Sequence, residues 1–286
     1  MQLGIFTKTF VRPSLEENLD AVRAHGLRAV QYNLESAGGP SMPAHIEPAL
    51  CERIRAGLAQ RDITLAALSG TFNIIHPDIQ ERERGFQSLR TLAAASAHLG
   101  AALITFSTGT RNPDYMWGHH PENSSPAAWK EMLESMDAAV QIAADNDVTL
   151  VFEPEVSNVV DSARKARNLL DEMRSPNLKV VIDAANLFHS GALPRMGAIL
   201  DEAFELLGPD IALAHAKDLE RDGDAGNQAA GTGLLDYERY LSLLHAVGFE
   251  GALILHSLEE EQVPACRAFL KEKLAPYTGQ ALGRIP

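Results

Sequence analysis

The chain has 286 residues, 45% of them hydrophobic, and a formal net charge of −13 at pH 7. That length suits one large α/β domain or two small ones, and the hydrophobic share supports a full core. The acidic balance and the scattered Lys and Arg exclude a duplex-binding face, which needs positive charge against phosphates, and no apolar stretch is long enough to cross a bilayer.

The first ten residues lack a basic segment followed by a long apolar one. They read as a first strand, not as a secretory leader. Cys51 and Cys266 are the two cysteines. A core of this size needs no disulfide, so they read as free thiols in a reducing cytoplasm.

Strand-like and helix-like segments then alternate along the chain. LGIFTKTF (3–10) precedes an amphipathic helix from Ser14 to His25, with Ser14 and Glu17 spaced as a capping box. AVQYNL (29–34) leads through a Gly- and Pro-rich loop to a helix near Glu47 to Gln60. TLAALSGTF (64–72) leads through NIIHPD into a long helix ending near Leu99, with Gly100 as its stop. ALITFSTGT (102–110) is followed by a polar loop and a helix from about Pro126 to Asp145.

Four more apolar runs follow: TLVFEPE (149–155), LKVVIDAAN (178–186), IALAHAKD (211–218) and GALILHS (251–257). Each precedes a helical pattern, the last near Glu260 to Leu274. Eight strand–helix units at this period predict a closed (β/α)8 TIM barrel over residues 1–275 with a loosely held tail at 276–286. An open doubly wound sheet is the competing architecture, but no Gly-x-Gly-x-x-Gly follows the first strand. The longest irregular stretches, 109–125 and 219–235, both follow strands and so belong over the catalytic face.

The last four runs end in Glu153, Asp183, His215 and His256. Parallel strands of one closed sheet would bring these side chains to one mouth, where carboxylates and imidazoles make a divalent-metal site. Each residue also has a plainer reading. Glu153 could pair with a neighbouring Lys or Arg, Asp183 could cap a turn, and His215 could be a core histidine. His256 could be a ligand, an acid/base or a packing residue. Glu155 shares a face with Glu153 if the strand continues, and Lys217 shares one with His215. Lys217 could polarise a substrate oxygen, and Asn186 could hydrogen-bond to substrate. Asn73, His76, Arg111 and Trp117 sit in loops after the third and fourth strands, where they could contact a small polar ligand. The GTG at 231–233 could face an anion or simply enter the next helix.

SGTFNIIHPD, VFEPE, VIDAANLF, AHAKD, AGTGLLDYERYL and GFEGALIL, in that order, resemble the sugar phosphate isomerase/epimerase superfamily of xylose-isomerase-like TIM barrels. The resemblance covers nearly the whole chain. It implies one divalent ion held by a Glu after strand five, an Asp after strand six, a His after strand seven and a Glu after strand eight. Glu153, Asp183 and His215 match the first three positions, and His256 stands at the fourth. Two carboxylates with two imidazoles shift the expected metal from Mg towards Mn, Zn, Fe or Co.

The function so implied is a metal-dependent isomerase or epimerase of a small sugar, keto sugar or polyol derivative. Glu153 would be the base, with His256 and Lys217 assisting. A dehydratase or lyase working through the same enediolate is the first alternative, and a barrel that only binds a sugar or a metal is the second. A small carbohydrate would be the partner, and the outer helices suit a homo-oligomer.

Overall fold

Alternation of side chains along each strand decides how this barrel is filled. A strand places successive residues on opposite faces. Ala29, Ala67, Val151, Val181, Leu213, Ala252 and Ile254 point inward and form a compact inner cluster. Their neighbours point outward into a much larger layer shared with the helices. Gly4 also belongs to the inner side. A Cβ there would lie 2.7 Å from the Ala29 carbonyl oxygen and from the Ile254 side chain, so only glycine fits between those strands.

The computed structural model describes residues 1–277. Eight strands form the wall: β1 (Gln2–Phe6), β2 (Ala29–Tyr32), β3 (Thr64–Ser69), β4 (Leu103–Phe106), β5 (Thr149–Phe152), β6 (Leu178–Asp183), β7 (Ile211–Asp218) and β9 (Ala252–Leu255). All pair in parallel with their neighbours. Parallel pairing of β9 with both β1 and β7 closes the barrel. The expectation of a single (β/α)8 barrel therefore holds.

Several strands stop before their apolar pattern does. The third, expected to reach residue 72, ends at Ser69, and the first turns into a 3-10 segment at Thr7–Thr9. Beyond Ser69 the Gly70 N–H still donates to the Thr105 carbonyl at 3.1 Å, and further on the backbone takes a side-chain partner: the Phe72 carbonyl accepts from Ser107 Oγ at 2.8 Å. The stretch 219–235 is not wholly irregular either. Its two-residue strand β8 (Gln228–Ala229) pairs antiparallel with the end of β7.

The outer layer is α1 (Leu15–Ala24), α2 (Pro48–Gln60), α3 (Ile79–Leu99), α4 (Pro126–Asp145), α5 (Ala163–Met173), α6 (Met196–Leu207), α7 (Tyr237–Ala246) and α8 (Val263–Leu274). Ser14 caps α1 by accepting from the Glu17 N–H at 3.2 Å. The Glu17 carboxylate does not complete a capping box, because it accepts from the Ser14 hydroxyl itself at 3.1 Å. Gly100 ends α3 with φ at 79°, the left-handed cap its position suggests.

Cys51 and Cys266 are free and buried. No helix among the described residues is long and apolar enough to cross a membrane. Of the expected tail at 276–286, the first two residues end a 3-10 turn (Ala275–Tyr277), and the rest lies outside the described residues.

Candidate metal centre

Two residues further along each inward row, the side chains turn polar. Val151 is followed by Glu153, Val181 by Asp183, Leu213 by His215 and then Lys217, and Ile254 by His256. Asp183 lies opposite His215 in the β6–β7 ladder. Glu153, Asp183 and His215 each offer one ligand atom, and these atoms all lie within 4.8 Å of one another. Asp183 is fully buried and His215 is 3% exposed.

Two atoms in this group have no hydrogen-bond partner: Asp183 Oδ2 and His215 Nδ1. Orphaned buried polar atoms are costly unless something satisfies them. Nδ1 of His215 lies 3.4 Å from Asp183 Oδ2 and 3.8 Å from Glu153 Oε1, so the unpartnered atoms face one another. A divalent cation suits this donor set of two carboxylates and one imidazole.

The other atoms of the group are held firmly. Asp183 Oδ1 accepts from the Ala185 N–H at 3.1 Å, and Asn186 Nδ2 donates to Glu153 Oε1 at 2.5 Å. Nε2 of His215 lies 2.8 Å from Gln31 Oε1. That oxygen is only an acceptor, so Nε2 carries the proton and Nδ1 presents its lone pair in the neutral ring. Gln31 in turn donates to Ser69 Oγ at 3.3 Å. Tyr240 of α7 fixes the strand beneath by donating to the His215 carbonyl at 2.9 Å.

Charge is balanced inside the cluster. Lys217 Nζ lies 3.3 Å from Asp183 Oδ2. Burial pushes the Asp183 carboxyl up, but Lys217 and His215 outweigh it and hold the group well below the usual carboxylate range. Burial pushes His215 down, but its carboxylate neighbours Asp183 and Glu153 raise it to about 9. Glu155, also inward-facing and fully buried, is pushed up to about 7 chiefly by burial. Its oxygens accept from the Ser157 N–H at 2.9 Å and from Asn158 Nδ2 at 2.8 Å.

His256 is outside the three-residue group. Its ring stacks on His215 with centroids 5.0 Å apart and planes 7° apart, and on Phe6 at 5.3 Å. Its Nδ1 lies 2.8 Å from Ser257 Oγ. Burial, with the positive His215 and Lys217 beside it, pushes its pKa well below the ordinary value. A neutral imidazole packed flat against His215 is thus what stands where the resemblance implies a fourth ligand.

The cluster floors a cavity of about 600 Å3. Glu155, Asn186, Lys217, His256 and Trp117 line it, as the sequence suggests. Three expected substrate contacts do not. Arg111 turns away to form an ion pair with Glu131 of α4, which also holds Arg82 at 2.7 Å. His76 Nε2 bonds the Pro113 carbonyl at 3.0 Å, and its Nδ1 accepts from the Asp78 N–H at the start of α3. Asn73 donates to the Thr110 carbonyl and accepts from the Thr110 N–H, stitching two loops together. All three satisfy local backbone or charge rather than the cavity. The GTG turn is an entry to α7: the Gly231 N–H donates to Asp218 Oδ2.

The sequence model of the family described as xylose isomerase-like TIM barrel matches residues 19–273. The chain belongs to this family.

No curated protein sequence matches this xylose isomerase-like barrel. Among solved structures it is similar to an IolI protein with a bound zinc atom, at 15% identity and a TM-score of 0.75, covering 98% of this chain and 100% of that one. It is similar to the 3-keto-D-glucoside 4-epimerase YcjR from E. coli, at 16% identity and 0.70, covering 95% and 99%. It is also similar to the probable 3-DHS dehydratase AsbF from Bacillus anthracis, at 14% identity and 0.73, covering 95% and 99%. At such identities these likenesses show a shared fold.

Proposed function

We propose that this barrel is a metal-dependent isomerase or epimerase of a keto sugar or related polyol derivative. The observation that carries this reading is the cluster of Glu153, Asp183 and His215, with two buried ligand atoms facing one another without a hydrogen-bond partner. These three residues would hold the ion, and Mn, Zn, Fe or Co suits a site with an imidazole better than Mg. A divalent ion there supplies Lewis-acid stabilisation of negative charge on a substrate oxygen.

The chain's own groups would do the rest. Glu153 is the proton acceptor, its carboxylate oriented by Asn186. Lys217 brings a buried positive charge to the side of Asp183 and stabilises charge that develops on substrate. Asn186 keeps Glu153 aligned while its own Oδ1 accepts from the Gly226 N–H at 3.0 Å. The neighbours named as an epimerase and a dehydratase support this chemistry as a class.

His256 favours a second reading. A symmetrical epimerase needs a base on each face of the reacting carbon. A lone neutral imidazole in place of a second carboxylate instead suits a reaction that needs a strong base on one face only, such as a dehydration that begins with the same proton abstraction by Glu153.

Solvent deuterium exchange tests the proposal. The full chain is incubated in D2O with added metal and a panel of keto sugars. Exchange at the carbon next to the carbonyl supports a catalytic base. Its absence across the panel, with sugar bound, leaves a binding barrel.

A further inference from the structure

We infer that the substrate carries a second, uncharged sugar ring, held at the mouth by the Tyr115–Met116–Trp117 segment. This rests on the proposed keto-sugar chemistry at the cavity floor. The cavity, about 600 Å3, falls within the range of about 300–1,000 Å3 that suits drug-sized ligands. A single monosaccharide is smaller than such a ligand and would leave much of it filled with water.

The chemistry of the upper wall matches a pyranose. Tyr115, Met116 and Trp117 line the cavity together, and Tyr115 is 61% exposed. A large exposed aromatic over a polar cavity offers a face for the C–H side of a sugar ring. The segment is braced in place. Asn112 Oδ1 accepts from the Asp114 and Tyr115 N–H groups, and the Gly118 N–H closes a turn on the Tyr115 carbonyl at 2.8 Å. The turn is tightly packed: a Cβ at Gly118 would lie 2.6 Å from Asn112 Nδ2 and 3.0 Å from the Tyr115 carbonyl oxygen. Asn227 and Ser41 add neutral hydrogen-bonding groups to the same cavity, with Ser41 Oγ fixed by Asn33 Nδ2 at 2.6 Å.

Charge argues against a phosphate on the second ring. Each Lys or Arg lining the cavity has an acidic partner: Lys8 with Glu35 at 2.9 Å, Lys217 with Asp183 at 3.3 Å and Arg221 with Asp224 at 2.8 Å. Lys217 is committed to the reacting end beside Asp183, and an anionic substituent on the second ring would have to compete with the carboxylates already paired to Lys8 and Arg221.

The test measures binding of D-fructose and of three glycosylated fructoses of different linkage: lactulose, turanose and isomaltulose. The protein is the full chain with Zn2+ supplied and Trp129→Phe introduced. Trp117 is then the sole tryptophan, since the chain has two. At least one glycosylated fructose is expected to bind about tenfold more tightly than fructose and to shift Trp117 emission. The ratio of the two dissociation constants should fall to within about twofold of one in Trp117→Ala or Tyr115→Ala, read by calorimetry. Failure of all three glycosylated sugars to out-bind fructose overturns the inference, as does an advantage that survives both substitutions. The catalytic reading fails separately: glycoside preference without solvent exchange sinks it and leaves the second-ring subsite standing, whereas exchange into free fructose with no preference does the reverse.

Discussion

Gln31 on β2 and His215 on β7 are hydrogen-bonded through the barrel interior, Oε1 to Nε2, at 2.8 Å. This contact selects the tautomer that leaves His215 Nδ1 free to face Asp183 and Glu153. Replacing Gln31 with leucine removes the acceptor. Loss of such a partner to a metal-binding histidine typically costs about 10–100-fold in metal affinity, and that is the fall expected on titrating Gln31→Leu with Zn2+ or Mn2+. Unchanged affinity would mean that Gln31 only packs.

The proton on metal-free His215 gives a pH signature. Its folded pKa, raised to about 9 against an ordinary 6.5, means the protonated ring stabilises the metal-free fold. That contribution is complete below pH 6.5 and is lost as pH rises through about 9. A metal must displace this proton from Nδ1. Metal binding at pH 7.5 should therefore release about one proton and strengthen as pH rises towards 9. Calorimetry in two buffers of different ionisation enthalpy counts the protons, and a count near zero would contradict the geometry.

Glu153→Gln keeps the side chain's shape but removes its basicity. Deuterium exchange into a responsive keto sugar should fall by at least about 100-fold, the lower end of what a general base contributes. Circular dichroism should show an intact fold. Exchange at the unmodified rate would remove Glu153 from the proton-transfer role.

The ion pair predicts that Arg111 serves stability rather than substrate binding. It shares Glu131 with Arg82 and so ties the loop after β4 to α3 and α4. Arg111→Ala should lower stability by about 1 kcal/mol, the upper end for a partly exposed ion pair. Urea melts measure the loss, and the KM for any responsive sugar should stay within about twofold of the parent. A large KM effect at unchanged stability would return Arg111 to the cavity.

Much of this was legible in the sequence. Strand–helix alternation carried the barrel, and the polar ends of four apolar runs carried Glu153, Asp183, His215 and His256 to one mouth. The step of two that links Val151 to Glu153 also links Ala29 to Gln31 and Ala67 to Ser69. Counting on from the inward alanines would have found both residues that orient His215. They were missed because a polar residue inside a short strand looks like ordinary alternation.

The loop residues were harder to place. Arg111, His76 and Asn73 have suitable chemistry and suitable positions after their strands. Their direction depends on partners remote in sequence: Glu131 on α4, the Pro113 carbonyl and the Thr110 backbone. The flat stacking of His256 on His215 is likewise a tertiary fact, since it needs the β7–β9 pairing to bring the two rings together.

The central claim is that Glu153, Asp183 and His215 form a metal centre. Elemental analysis by mass spectrometry, on the parent chain and on His215→Ala after incubation with Zn2+ or Mn2+ and desalting, tests it most directly. About one ion per chain in the parent, with a melting temperature that drops on chelation, and little retained metal in His215→Ala is the expected result. Equal metal content in the two proteins, or none in the parent, would contradict it.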